Sequence, residues 1–216
     1  MAARPDGPGS GGGATGRDPV PPEALPKAWR PLLARPALAK QLGDPLGSAA
    51  LTEMARLLPT QLALHSLRVF LLADAWAQAE GTRFDRPGLL AAVAFHDTGL
   101  VGWAPLGRGG FPRRSAELLD RFLAERKVDD ARRAALTRAV REHMRPFPPR
   151  NAGPEARLLH FGVWLDVTGR GERRLPGERR MVTAPAPTPL FAVTFFARVA
   201  ACGLRRVRPG PASTAR

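Results

Sequence analysis

The chain has 216 residues, of which 44% are hydrophobic, enough for one domain with a buried core. No apolar stretch predicts a membrane-spanning helix and the N-terminus has no apolar signal-peptide core, so we expect a cytoplasmic protein without a membrane partner. The formal net charge is +14, and Cys202 is the single cysteine, which excludes an intramolecular disulfide.

The two ends of the chain differ in composition from its middle. Residues 1–25 are rich in Gly and Pro and predict a disordered arm. Residues 26–48 contain prolines that interrupt any long helix, so a loose extension of short turns is expected. The periodic patterns lie in residues 49–204, which predict a single helical domain, and residues 205–216 form a basic tail.

Helical patterns follow one another through this middle part. Asp85 is a plausible N-cap for a helix that runs to about Phe95, with Gly99 close to its end. Strand signals are few, so the fold is predicted to be all-α, with five to seven helices around one core. Apolar spacing predicts the other helices at 61–79, 115–126, 130–144, 154–169 and 188–204.

Two histidines and two aspartates lie within these apolar helices or at their ends. His65 lies in mid-helix, His96 and Asp97 follow 31 residues later, and Asp166 ends another apolar helix. A histidine taken alone is more often a core residue, but a buried carboxylate such as Asp97 needs a compensating partner. Carried on three helices, the four side chains can converge on one divalent cation. Imidazole and carboxylate together suit Mn, Fe, Co, Ni or Zn.

Three short stretches carry a resemblance to a known family. "LHSLRVF" (64–70), "AVAFHDTGL" (92–100) and "LDVTG" (165–169) resemble the His…His-Asp…Asp signature of the HD-domain superfamily. The first and last stretches are similar to the subgroup that includes cyanamide hydratase. The resemblance covers about residues 50–200.

This resemblance implies an all-helical, metal-dependent enzyme, in most members a phosphohydrolase. It implies His65, His96, Asp97 and Asp166 as the metal ligands. No clear lysine or glutamate follows the His-Asp pair, as some nucleotidases of the superfamily carry, which argues against a nucleotide substrate.

Three residues are predicted to act beside the ion. Asp97 could both ligate the metal and accept a proton from its bound water. Arg68 lies on the same helix face as His65 and could hold a substrate phosphate, orient a carboxylate or form a salt bridge. His143 is predicted as a proton donor or substrate contact, with an additional ligand or a helix cap as alternatives. His160 is predicted to be structural, so we expect one ion per chain.

Three functions remain open from the sequence. The first is hydrolysis of a small phosphate ester, and the second is addition of water to a small nitrile such as cyanamide. The third is a degenerate HD domain that binds nucleic acid through its basic C-terminal part, where ten arginines and two glutamates lie from Arg170 onward. This third function is not favoured, because all four ligand types are retained and no binding module is recognisable.

Overall fold

The computed structural model describes residues 21–102 and 109–205, and within these stretches the chain forms α-helices and no strand. The all-α prediction is confirmed. Seven of the described helices have ten residues or more, and three are shorter. In chain order they are α1 (Arg30–Leu33), α2 (Pro36–Leu42), α3 (Pro45–Leu57), α4 (Thr60–Ala79), α5 (Arg86–Phe95), α6 (Gly110–Glu125), α7 (Asp130–Glu142), α8 (Pro154–Thr168), α9 (Glu178–Thr183) and α10 (Phe191–Arg205).

Residues 26–48 hold α1, α2 and the first turn of α3 in place of the loose extension expected from their prolines. Pro31, Pro36 and Pro45 lie in the first turns of α1, α2 and α3. A proline there loses no helical hydrogen bond, and its fixed φ suits the helix. Trp29, at the start of this segment, is buried in the core. The prolines therefore begin helices as well as interrupting them.

Helix α4 is central to the fold, and most of its side chains are buried. It packs along α8 and also contacts α5 and α9. The two backbones come very close at Gly162 of α8, where an added Cβ would lie 2.6 Å from the carbonyl oxygen of Val69 in α4. The absence of a side chain at Gly162 lets the middle of α4 lie directly against α8.

Two helix boundaries expected from the sequence are confirmed. Asp85 caps α5, and its side chain accepts a hydrogen bond from the Gly88 N–H at 3.1 Å. Gly169 ends α8 with φ 74°, in the left-handed region that favours glycine. Both signals are local to a few residues, which is why the sequence alone reveals them.

The other end of α5 lies where the sequence predicts it. The helix ends at Phe95, and Gly99 lies in the 3₁₀ turn that follows. An added Cβ on Gly99 would lie 2.2 Å from the carbonyl oxygen of Phe111, so this glycine permits close packing against α6. His96 and Asp97 consequently occupy the joint between the helix and the turn.

The stretch "GERRLPGERR", expected as a basic loop, contains a 3₁₀ turn and the short helix α9. The predicted arm, 1–25, lies outside the described residues up to residue 20, and so does the predicted tail, 205–216, beyond Arg205. Among the described helices none combines the length and the apolar character needed to cross a bilayer.

Candidate metal centre

Three helices bring four side chains to one buried point. His65 lies in α4, His96 and Asp97 directly follow α5, and His143 directly follows α7. The exposed fraction is 0% for the first three residues and 1% for His143. Because α5 packs against both α4 and α7, the ends of α5 and α7 meet beside the middle of α4.

The distances between these groups fit atoms that share one ion. The Nε2 atom of His96 lies 3.2 Å from Asp97 Oδ2 and 3.3 Å from His65 Nε2. His65 Nε2 lies 3.7 Å from the same carboxylate oxygen. Ligands about 2.1 Å from a tetrahedral ion are about 3.4 Å apart. His65, His96 and Asp97 can therefore each offer one atom to a common position.

Two of the imidazoles are held by Nδ1, which leaves Nε2 as an acceptor. His96 Nδ1–H donates to the Val93 carbonyl oxygen at 2.7 Å, and His143 Nδ1–H donates to the Val140 carbonyl oxygen at 2.6 Å. A carbonyl oxygen can only accept, so each proton lies on Nδ1. In the neutral ring, Nε2 then presents the lone pair that a metal ligand requires.

The carboxylate of Asp97 is the group that most needs a cation. Both its oxygens, and the Nε2 atom of His143, are buried without a hydrogen-bond partner among the described residues. Asp97 Oδ1 lies 3.7 Å from His143 Nε2. Acceptors that face one another in a buried space are costly unless a positive charge lies between them. One divalent cation held by His65, His96 and Asp97 would supply that charge.

The ionisation of Asp97 and His96 is consistent with a need for positive charge at this point. Burial by itself would raise the pKa of Asp97, but His96, together with His143 and His65, outweighs burial and lowers that pKa below its ordinary value. Burial would lower the pKa of His96, but Asp97 raises it overall. A proton on His96 can thus replace a cation in part. One proton satisfies one acceptor and leaves the others unpaired.

The orientation of two helices also favours a cation at this point. His96 is the C-cap residue of α5, and His143 is the C-cap residue of α7. The C-terminal end of a helix carries a partial negative charge because its last carbonyl groups lack helical partners. Two such ends directed at one buried site add to the charge of Asp97.

Asp166, the fourth ligand expected from the sequence, has other partners. Its Oδ2 accepts a hydrogen bond from Nδ1–H of His65 at 2.6 Å, through the ring nitrogen that does not face His96. Arg68 donates to both oxygens of Asp166, with its Nε at 2.8 Å and its Nη2 at 2.9 Å. Burial alone would raise the pKa of Asp166, but His65 and Arg68 lower it to about 2. Asp166 is therefore an ionised carboxylate that fixes the orientation of His65.

No family model and no curated protein matches this chain. Membership of the HD-domain superfamily stays a prediction from the three motifs. The chemistry of the site rests on the residues that form it.

Arg68 forms a buried salt bridge with the carboxylate of Asp166, a contact that matches two of the three roles predicted for it. Besides Asp166, its guanidinium donates to the carbonyl oxygen of Ala186 at 3.2 Å, and its side chain is buried. His160 lies outside the group, and its Nε2–H donates to the Arg145 carbonyl oxygen at 2.8 Å. That contact is of the structural kind predicted for His160.

Aromatic rings surround the histidines. Phe191 of α10 stacks on His65 with ring centroids 4.8 Å apart, and Phe195 lies at 5.8 Å from the same ring. Phe111 of α6 meets His143 edge to face at 5.8 Å. These rings keep water from the buried histidines and lower the polarity around them.

A surface pocket of about 190 Å³ adjoins this aromatic wall at the start of α4. Phe191 and Phe195 form part of its lining and also contact His65, so they stand between the pocket and the histidine. The pocket is lined on its polar side by Thr60, Gln61, Thr194 and Arg198.

Sequence reasoning missed the supporting role of Arg179. Its Nε and Nη2 both donate to the backbone carbonyl oxygen of Asp166 at 3.1 Å. Arg179 belongs to the second half of the "GERRLPGERR" repeat, which has the composition of an exposed loop. Nothing in the local pattern indicates that α9 folds back onto the end of α8.

Proposed function

We propose that this chain is a metal-dependent hydrolase in which an ion held by His65, His96 and Asp97 activates a water molecule. The observation that carries the proposal is a buried group in which the imidazole acceptors of His65 and His96 lie beside the carboxylate of Asp97. That carboxylate has no hydrogen-bond partner among the described residues. This ligand set suits Mn, Fe, Co, Ni or Zn. A bound divalent ion would lower the pKa of its water and so supply hydroxide near neutral pH.

The protein's own groups have distinct tasks in this proposal. Asp97 would ligate the ion and would be placed to accept a proton from its bound water, since its carboxylate lies beside the Nε2 atoms of His65 and His96. Asp166 holds the His65 ring in place, and Arg68 holds Asp166. Phe191 shields His65 from bulk water, which strengthens electrostatic interactions inside the site.

A small phosphate ester is the substrate class that we put first. The pocket beside Phe191 and Phe195 contains the exposed side chain of Arg198. This pocket lies at the N-terminus of α4, where no side chain of the described residues caps the free backbone N–H groups. Free N–H groups and the helix dipole both favour an anion, so this pocket suits the phosphate group of a substrate entering from that side.

A hydratase acting on a small nitrile such as cyanamide is the second candidate. The observation that favours it is the pairing of Arg68, whose guanidinium donates to Asp166 and to Ala186 and is thereby committed to the protein. The rings that contact His65 and His143 are apolar. A small neutral substrate fits such surroundings better than a charged one does.

Nucleic-acid binding through the basic C-terminal part is the least favoured of the three. A degenerate domain has no need to keep a buried group of unpaired metal-ligand atoms, which is costly without an ion. Arg179, from the basic stretch, binds the backbone of α8.

The test is elemental analysis of the purified protein, followed by assays on a panel of phosphate esters and on cyanamide with each candidate metal. Asp97→Ala should lose both bound metal and activity, because it removes the charged ligand. Asp74→Asn is the matched control, since Asp74 is also a buried aspartate but pairs with Gln78 and Arg86. Full metal occupancy in Asp97→Ala would sink the proposal. Turnover of cyanamide without turnover of any ester would select the second candidate.

A further inference from the structure

We propose that His143 is the fourth ligand of the ion, and that Asp166 stays outside the coordination sphere as the residue that positions His65. This assignment rests on the proposed function, because both require an ion among His65, His96 and Asp97. It exchanges the first roles that the sequence predicts, in which Asp166 is a ligand and His143 is a proton donor or substrate contact, with an additional ligand only as an alternative for His143.

His143 lies beside the three residues whose ligand atoms all lie within 4.8 Å of one another, and it faces Asp97 Oδ1. Its Nδ1–H is fixed by the Val140 carbonyl oxygen, so its Nε2 carries a lone pair. That Nε2 atom is buried, has no hydrogen-bond partner among the described residues and lies 3.7 Å from Asp97 Oδ1. The Nε2 atom of His65 lies at the same distance from Asp97 Oδ2. The Nε2 atom of His143 is therefore as far from one oxygen of the Asp97 carboxylate as the Nε2 atom of His65 is from the other.

His143 and His96 also share a local construction. Each is the C-cap residue of its helix, and each donates its Nδ1–H to the carbonyl oxygen three residues earlier. The two rings meet edge to face with centroids 5.2 Å apart. Two imidazoles fixed in the same tautomer by the same device, with Nε2 atoms turned to one carboxylate, form a matched pair of ligands.

Asp166 has the opposite geometry. It accepts three hydrogen bonds of 2.6–2.9 Å from His65 and Arg68, the short lengths of charge-assisted bonds. If Asp166 bound the ion directly, His65 would lose the partner that keeps its proton on Nδ1. Metal-bound histidines commonly donate the other ring N–H to a carboxylate in this way. Asp166 is thus a positioning residue for His65, and Arg68 positions Asp166.

The first experiment titrates the purified full chain with Co²⁺ and records affinity by chelator competition and the visible spectrum. His143→Ala should lower Co²⁺ affinity by more than about 100-fold and alter the spectrum, because a nitrogen ligand is lost. Asp166→Asn should lower affinity by about 10–100-fold and keep the wild-type spectrum, as loss of an outer partner does. His160→Ala is the matched control, a buried histidine outside the group, and should change neither quantity.

The second experiment needs no variant and so does not depend on folding of His143→Ala. The wild-type chain, with nitrogen-labelled histidine, is loaded with a cadmium isotope that has nuclear spin, and cadmium–nitrogen couplings count the bound imidazoles. Coupling to three histidines supports the assignment, and coupling to two overturns it. The assignment is also overturned if the Co²⁺ spectrum changes in Asp166→Asn and stays unchanged in His143→Ala. That result would not contradict the proposed function. A wild-type chain that binds no ion overturns both.

Discussion

The contact between α8 and α4 at Gly162 predicts that a single added methyl group will damage both the fold and the metal centre. In Gly162→Ala the new Cβ would lie 2.6 Å from the Val69 carbonyl oxygen, whereas a carbon–oxygen contact needs about 3.3 Å. Helix α8 must therefore move away from α4 by about 0.7 Å. Overpacking of this kind costs about 1–3 kcal/mol. Alanine in a helix recovers about 0.5–1 kcal/mol of that cost.

The same displacement reaches the site, because Asp166 lies one helical turn after Gly162. The bond from His65 Nδ1 to Asp166 Oδ2, now 2.6 Å, would lengthen to about 3.3 Å and lose most of its strength. We expect metal affinity to fall by about 10–100-fold, the usual consequence of losing such a partner.

Urea unfolding followed by circular dichroism, with a parallel metal titration, measures both effects. The matched control is Gly203→Ala in α10, where an added Cβ has no atom of the described part of the chain within 4 Å. That variant should be more stable than wild type by up to about 1 kcal/mol, since the helix gains alanine without a clash. A Gly162→Ala protein that unfolds at the wild-type urea concentration, or above it, would refute the reasoning.

Three further outcomes are expected. Removing the ion by chelation should lower Tm by about 5–10 °C, because metal present at 100 times its Kd stabilises the folded protein by about 2.7 kcal/mol. If chelation lowers the Tm of Asp97→Ala equally, the stabilisation does not come from an ion at this site. Burial lowers the pKa of His160, so the unfolded chain binds more protons and stability falls as pH drops below the ordinary value of 6.5. In His160→Gln this loss of stability at low pH should be smaller, as measured by urea unfolding at a series of pH values. An equal loss in wild type and variant would show that His160 is not its cause. Asp85→Ala should be less stable than Asp85→Asn by about 1 kcal/mol, because both variants lose the ion pair with Arg132 and only the alanine also loses the α5 cap; equal thermal unfolding of the two variants would exclude the capping role.

Features that depend on a few neighbouring residues were predictable from the sequence. The cap at Asp85 and the left-handed Gly169 are of this kind, because turn chemistry acts over three or four positions. The apolar setting of His96 and Asp97 also pointed to a buried carboxylate in need of a cation.

Features that depend on how helices cross were not predictable. The partners of Asp166 are set by the close approach of α8 to α4 at Gly162, a contact between residues about a hundred positions apart in the sequence. The sequence places His65 and Asp166 on apolar helices that can pack together, but it does not indicate which of their atoms face each other. The segment 26–48 differs for another reason, since a proline that interrupts one helix can equally begin the next.

The position of Phe191 and Phe195 has a kinetic consequence. Both rings lie on α10, cover His65, and separate it from the adjoining pocket. An ion or substrate entering from that pocket must wait until these rings move aside, whatever its affinity for the ligands beneath. The rate at which a chelator strips the ion should therefore reach a plateau as chelator concentration rises, with the plateau set by the opening of α10.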